Sequence, residues 1–489
     1  MKYKKSLLIL ITAIFLVSVA GVCASDANDT AIASDDSNQM ELSSDSEISE
    51  DNLQTGEENS ILTQNDDETV SAESDSQTLG AGEGTFSDLR NEIGNGGDKN
   101  LSKSYYRYNS GNAIQIKTPG VINGNGAIID MAGATIRAFY VTVSNVTIKD
   151  LTIKNANCSA GGGAAIYFTS SGTVENCNFI NNTAGDNGGA VNFAESGTVT
   201  NCNFTNNTAG NNAGALFQGN AYNCVFIGNR ADGGGAMYEG FATNCKFIEN
   251  HADGFGGVIN GYNHKSINCT FISNSAGISG GALSGGEAHN CSFISNVASR
   301  DGGAINDANA HNCNFTGNKA TSGSGGAIYF SAYGNVTNCN FTNNTAYSNG
   351  GAISIFSYSY GYSYGGDVEN CNFINNIADN GGAIYTRSAR ATICNFVNNV
   401  ARVSGGAMFD GVADTCIFKT GSDTVKNTLR LLPKWAVDNF ITAYDSGEKL
   451  TFDLKTSSGM LVENGNISIS VYYNDNGSWF GNYSCLSGE

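Results

Sequence analysis

The chain is 489 residues long and carries 62 Gly, 2 Pro, 25 Phe and 21 Tyr, which excludes collagen and a proline-rich linker and suits sheet structure with many tight corners. A formal net charge of −20, with no basic cluster, argues against nucleic acid or an anionic membrane as partner. The length allows two or three ordinary domains or one long repetitive one.

The N-terminus, MKYKKSLLILITAIFLVSVAGVCASDA, has a basic start, an apolar run from Leu7 to Val19 and small residues at Val22 and Ala24. It reads as a secretory signal peptide over residues 1–24, cleaved near Ala24–Ser25, with a retained anchor as the alternative. A lipoprotein reading of Cys23 is weaker, because that processing needs Gly, Ala or Ser directly before the Cys, and Val22, small enough for a signal-peptidase site, is none of these. No second stretch is long enough to span a bilayer as a helix. Residues 25–80 hold sixteen Asp and Glu, no Lys or Arg and no aromatic residue. Such a segment buries too little apolar surface to offset its ordering entropy, so a disordered acidic spacer is expected.

The stretch TFSDLRNEIG follows. Thr85 and Asp88 fit a capping box, Phe86, Leu89 and Ile93 share a helical face, and Gly94 can end the helix. One short amphipathic helix before a sheet array predicts a lid over exposed strand edges. Alternating apolar residues at Ile114, Ile116, Val141, Val143, Val146 and Ile148 then predict short strands, so residues 81–157 read as an N-terminal cap with the first coils.

From residue 158 to 420 the chain repeats. Cys177, Cys202, Cys224, Cys245, Cys269, Cys291, Cys313, Cys339, Cys371, Cys394 and Cys416 recur mostly 21 to 26 residues apart. Each is followed two places on by Phe: Phe179, Phe204, Phe226, Phe247, Phe271, Phe293, Phe315, Phe341, Phe373, Phe396 and Phe418. Ten of the eleven have Asn five places on, and nine have Asn immediately before. Between them lies Gly-Gly-Ala with an aliphatic residue, as from Gly188, Gly280 and Gly302. Two short strands per unit of about 22 residues, with no helical period, predict a parallel β-helix whose strands stack about 4.8 Å apart; eleven coils would make a rod on the order of 50 Å long.

In-register stacking puts the Phe rings in one column, Asn amides in ladders at the corners and Cys, small and apolar, in a tight corner of the core. Adjacent Asn and Cys would alternate in and out of a regular strand, so whether Cys points inward is left open. Asn268 and Asn290, just before column cysteines, are expected in the packed column. The thiols are expected reduced: parallel stacking holds Cβ atoms wider apart than the roughly 3.8 Å of a disulfide. Secretion keeps some bridging open, and a metal site is poor, since no Cys-x-x-Cys occurs and a column offers no tetrahedron. No metal or cofactor is expected.

Loop acids Asp186, Asp232, Asp253, Asp301 and Asp379 precede the Gly-Gly corners; they read as turn formers, with a weak calcium row as the alternative. His289 and His311, each two residues before a column Cys, should stack one strand spacing apart. Arg137, Lys149 and Lys154 read as solvated charges. The stretch SIFSYSYGYSYGGD swells the Cys339–Cys371 interval to 32 residues, so about ten residues must leave the coil. There Tyr358, Tyr360, Tyr362 and Tyr364 alternate with Ser and Gly, the chemistry of an adaptable binding loop or of a plain low-complexity insertion. Sixteen Asn-x-Ser/Thr sequons occur, Asn181 and Asn206 at exposed-looking corners.

Gly-Gly-Ala-aliphatic alternating with Phe-x-x-Asn resembles the repeat of chlamydial polymorphic outer-membrane proteins. The order of signal, acidic spacer, INGNGAIID…VSNVTIKDLTIKN run and cysteine-bearing repeats resembles the adhesin-like surface proteins of methanogenic archaea. The resemblance implies a right-handed β-helix at the cell surface, secreted, with an adhesive lateral face for glycans or proteins, and an anaerobic setting that favours reduced thiols. The tail over 421–489, with KLTFDLKT and NISISVYYND, is similar to the start of an immunoglobulin-like domain, shorter than a seven-stranded sandwich needs, and a truncated chain is expected. The fold class expected is therefore all-β: a parallel β-helix solenoid with an N-terminal helical cap and a partial immunoglobulin-like domain. β-Helix polysaccharide lyases and glycosidases place acids and a base on one outer strand face. Here those positions are mostly Asn, Thr and Ser. A non-catalytic binding protein is expected, with a lyase or glycosidase and a passive envelope protein as alternatives.

Overall fold

The computed structural model describes residues 82–356, 366–386, 389–409, 412–414 and 416–419, and the backbone strands 16–18, 429–430, 466–472 and 479–486. The acidic spacer and most of the signal segment lie outside them. Of the C-terminal tail, Leu429–Arg430 pairs in parallel with Met408–Phe409, Asn466–Tyr472 and Trp479–Leu486 pair antiparallel, and the rest lies outside the described residues.

The solenoid is all-β and parallel, and one coil shows why. In Gly302–Ala320 four short strands follow one another: Ile305–Asn306, Asn309–His311, Asn314–Thr316 and Lys319–Ala320. Each pairs in parallel with its counterpart a coil later, Ile305 on Ile328, Ala310 on Val336, Phe315 on Phe341 and Ala320 on Ala346. All four of these residues point inward and are fully buried. Strands of the first three positions form a 39-stranded sheet with the N-terminal strands, and the fourth form an 11-stranded sheet. We call the first the Gly-Gly-Ala strand and the third the Cys-Phe strand.

The Gly-Gly corner is forced by space. Gly302 has φ +64°, and a Cβ on Gly303 would come within 2.1 Å of the Gly326 carbonyl oxygen on the next coil. Only glycine permits so close a backbone stack. The next residue, Ala304, is small and fully buried, and Ile305 then begins the strand.

At the N-terminal end the helix Phe86–Ile93 forms as its sequence predicts. The Thr85 hydroxyl accepts from the Asp88 N–H at 3.1 Å, and Asp88 accepts from the Thr85 N–H at 2.8 Å, satisfying donors that a helix start leaves orphaned. Phe86, Leu89 and Ile93 are fully buried and belong to the same apolar cluster as the coils. The ladder then runs from Glu83–Thr85 through Gly120–Asp130 and Val146–Lys154 into the repeats.

Candidate functional site

Three columns run inside the stack. Phe rings from Phe179 to Phe396 lie face over face, with centroids 4.7–5.0 Å apart and planes within 16° of parallel. The Phe418 backbone pairs with Phe396, but its side chain lies outside the described residues. The Cys column points inward from Cys177 to Cys416. From Cys177 to Cys394 each thiol faces the carbonyl two residues back, as Cys313 faces His311 at 3.2 Å, and most column thiols receive the N–H of the previous column Cys, as Cys339 does from Cys313 at 3.3 Å. The twelve cysteines among the described residues are unbridged, and burial pushes the Cys202 thiol far above its usual range.

The third column is Asn182, Asn207, Asn229, Asn250, Asn274, Asn296, Asn318, Asn344, Asn376 and Asn399, all fully buried. Asn318 is typical. Its Nδ2 donates to the Phe293 carbonyl at 3.0 Å and to Asn344 Oδ1 at 2.9 Å, and its backbone N–H donates to that same oxygen at 2.9 Å. A buried amide is affordable here because its partners recur coil after coil.

The Asn before each cysteine is not in that core, a correction to the expectation for Asn268 and Asn290. Both are exposed, in the left-handed region at φ +54°. That single left-handed residue breaks the pleat, so Cys turns inward while its neighbour Asn stays outside. The outer amides still form a ladder, Asn290 Nδ2 donating to Asn268 Oδ1 at 3.3 Å.

The tyrosine stretch from Tyr358 to Tyr364, proposed from sequence as a binding loop, lies outside the described residues. The ladder on either side fixes its anchors. Phe330 pairs one coil on with Ile355, and Asn335 with Asp367. Four residues join Phe330 to Asn335 and eleven join Ile355 to Asp367, a difference of seven between the two coils.

A second outer feature was not legible as a motif. The outward position of the Gly-Gly-Ala strand forms a continuous register of Tyr140, Tyr167, Asn192, Phe217, Tyr238, Asn260, Ser284, Asn306, Tyr329, Ser354, Tyr385 and Phe409. These twelve hold no Asp, Glu, Lys, Arg or His; Gln115 precedes them in the register and the Arg430 backbone follows. Neighbouring rings stack in pairs, Tyr140 with Tyr167 at 5.7 Å, Phe217 with Tyr238 at 5.4 Å and Tyr385 with Phe409 at 5.0 Å. The tyrosine stretch departs from the C-terminal end of this same strand, one residue past Ile355.

Charged groups gather elsewhere and are tied to neighbours. His289 and His311 stack at 4.8 Å, as their spacing predicts. His289 Nε2 meets Glu287 at 3.1 Å, Glu287 meets Lys265 at 3.3 Å, and His311 Nδ1 meets the Thr337 hydroxyl at 2.7 Å. The loop acids are spread along the stack. Asn211 donates to Asp186 at 2.7 Å, Arg230 and His251 both reach Asp253, the Ser324 N–H donates to Asp301 at 2.9 Å, and Arg402 donates to Asp379 at 2.6 Å. Among the described residues no three His, Cys, Asp or Glu converge as metal ligands.

The basic residues read as solvated are in fact partnered. Arg137 lies over the Tyr140 and Tyr167 rings at 5.4 and 4.7 Å, Lys149 pairs with Asp150 at 3.5 Å, and Lys154 pairs with Asp130 at 3.2 Å. Burial and its bond to Asp130 push the Tyr105 hydroxyl up to about 12.

Three segments, residues 312–331, 338–355 and 370–387, match the Chlamydia polymorphic membrane protein repeat. No curated protein matches the chain. Among solved structures the chain is similar to a PL6 alginate lyase complexed with a trisaccharide, at 12% identity and TM-score 0.32, over 72% of this chain and 93% of that one. It is similar to tailspike protein 3 of bacteriophage CBA120 at 12% identity and TM-score 0.29, over 77% of this chain and 63% of that one. It is also similar to PfbA, a surface adhesin of Streptococcus pneumoniae, at 10% identity and TM-score 0.26, over 83% of this chain and 93% of that one. Likeness at this level carries nothing about activity.

Proposed function

We propose that the chain is a secreted, adhesin-like cell-surface protein that binds extracellular glycans or proteins through the lateral face of its solenoid, without catalysis. The supporting observation is the outward column on the Gly-Gly-Ala strand. Over twelve coil positions it carries seven half-buried aromatic residues among Asn and Ser, Asn192 and Ser354 being buried, with no acid or base. A neutral aromatic and amide strip on a chain of net charge −20 suits neutral sugar or protein surfaces. Tyr358, Tyr360, Tyr362 and Tyr364 belong to this reading as an adjoining loop, and the helix Phe86–Ile93 as the lid of the first coil. The match of three segments to a repeat of chlamydial membrane proteins supports display at a surface.

The test is binding of the full chain to a glycan array and to cells, beside Tyr238→Ala, Tyr385→Ala and a deletion of residues 357–365. Saturable binding weakened at least several-fold by the strip variants supports the reading. Binding unchanged by all three removes this face, and polysaccharide cleavage with or without calcium replaces adhesion by a lyase or glycosidase.

A further inference from the structure

The solenoid sorts its asparagines into two classes, and the sequons fall in only one. Twelve sequons lie among the described residues, and eleven of their Asn are exposed, Asn157 being half-buried. None of the ten fully buried column Asn belongs to a sequon, because the residue two places on is always Ala. That Ala is the small residue of the fourth strand, as Ala298 and Ala320 are, and both are fully buried. A hydroxyl there would displace core, so packing forbids the motif at the amides a sugar could not reach.

Eight of the exposed sequons crowd onto one face, flanking the Cys-Phe strand at the residue before Cys, the residue after it and the corner beyond. The Gly-Gly-Ala strand's outward column carries none. Consecutive coils stack several of them: Asn181 under Asn206, Asn268 under Asn290, and Asn314 under Asn340. Asn181 and Asn206 sit at left-handed corners, at φ +53° and +54°, and Asn340 Nδ2 donates to Asn314 Oδ1 at 2.9 Å. Stacked positions are about 4.8 Å apart, less than the width of one hydrated pyranose.

We propose that the face around the Cys-Phe strand is N-glycosylated, and that each stacked pair carries one glycan. The chemistry is transfer from a polyprenyl-phosphate-linked oligosaccharide. The Asn Nδ2 bonds to the sugar C1, the C1–O bond to phosphate breaks, the polyprenyl phosphate leaves, and the Nδ2 proton passes to solvent through the transferase. One amide hydrogen remains on Nδ2, so a modified Asn keeps a donor for the outer ladder. The glycans would cover one face and leave the aromatic strip bare. The inference rests on the export in the proposed function.

The test uses the full chain isolated from the cells that make it. Residues 155–230 contain no Lys or Arg before Arg230, so one tryptic peptide carries both Asn181 and Asn206. Mass spectrometry should show sugar on that peptide, with Asn181 and Asn206 never modified together. Asn206→Gln should raise occupancy at Asn181 toward completion. An exported chain with the unmodified mass overturns the inference and leaves adhesion standing, as does a peptide carrying both glycans. A chain retained inside the cell removes both readings.

Discussion

Within one coil, Asn290 and Asn296 are the same residue type in opposite circumstances. Asn296 is fully buried, and its Oδ1 accepts from both the backbone N–H and the Nδ2 of Asn274, each at 3.0 Å, while its own Nδ2 donates to the Phe271 carbonyl at 3.1 Å. Asn296→Ala orphans those groups in a dry core and should cost roughly 2–3 kcal/mol. Asn290 is exposed at a left-handed corner, so Asn290→Gly keeps the conformation and should shift stability by only about 0.5 kcal/mol. Denaturant midpoints of the two variants compare them, and equal losses would contradict the two-column assignment. Ile393 takes the same corner, at φ +55° and 54% exposed, where a β-branched side chain is strained. Ile393→Asn should raise stability by about 1 kcal/mol and extend the outer ladder toward Asn370. His264 is the acid-sensitive residue. It is 2% exposed, its ring nitrogens make no well-formed hydrogen bond although the Ser284 and Gly285 backbone lies beside them, the neighbouring Ser266 hydroxyl makes none either, and burial pushes its pKa down to about 4. The unfolded chain takes up that proton near pH 6.5 while the folded coil resists it to about 4. Stability should therefore fall as pH drops through this window, by on the order of 3 kcal/mol. In His264→Leu the slope between pH 7 and 4.5 should flatten, and an unchanged slope would assign acid sensitivity to carboxylates such as Asp130.

At the scale of the strand, stability comes from columns rather than from single contacts. Phe293 lies between Phe271 and Phe315, 4.7 Å from each, so Phe293→Ala removes two stacking faces and leaves a void that the rigid ladder cannot close. A loss of about 3–5 kcal/mol is expected, against less than about 1 kcal/mol for Tyr238→Ala on the outer strip; thermal melts of the two variants read the difference. These columns explain what sequence could and could not reveal. The Cys, Phe and Gly-Gly-Ala positions recur in nearly every coil because each fills a place with one acceptable shape, so the coil, its parallel stacking and the Phe column were all legible. The direction of Cys was not, because it depends on one left-handed residue, and Asn serves equally in an αL corner and in a buried ladder. That ambiguity put Asn268 and Asn290 in the wrong column. The outer strip was hidden for the opposite reason. A partly covered outer position restricts shape less than the core does, so Tyr167, Asn192 and Phe217 share a register with no shared motif, Asn192 being buried against the Asn187 carbonyl. The extent of the tyrosine excursion needed the ladder on both sides of it.

Across the whole stack, nearly every contact joins a coil to the coils before and after it, Arg402 reaching one coil further to the Ala346 and Tyr347 carbonyls, so the energy is close to a sum of coil and neighbour terms and opening should spread from an end inward. At the N-terminal end Phe86, Leu89 and Ile93 of the helix are buried in the same apolar cluster as the first coils. The cysteines supply a reporter in almost every coil. From Cys177 to Cys394 each is at most 3% exposed, and Cys416 is 9% exposed. None of these should react with a small alkylating reagent in the native chain. In rising denaturant with short alkylation pulses read by peptide mass, Cys416 and Cys394 should label first, then Cys371 and Cys339, with Cys202 and Cys177 last. If the helix serves as the proposed lid, Leu89→Asp should add a second front from the N-terminal side, bringing Cys158 and Cys177 forward while the order near Cys394 stays the same. Simultaneous labelling of every thiol would mean one cooperative unit, and neighbour coupling far stronger than the stacking of short strands supplies. Early labelling confined to Cys269 or Cys291 would instead place the weak point at the coil of His264, where the buried imidazole and the Ser266 hydroxyl make no well-formed hydrogen bond.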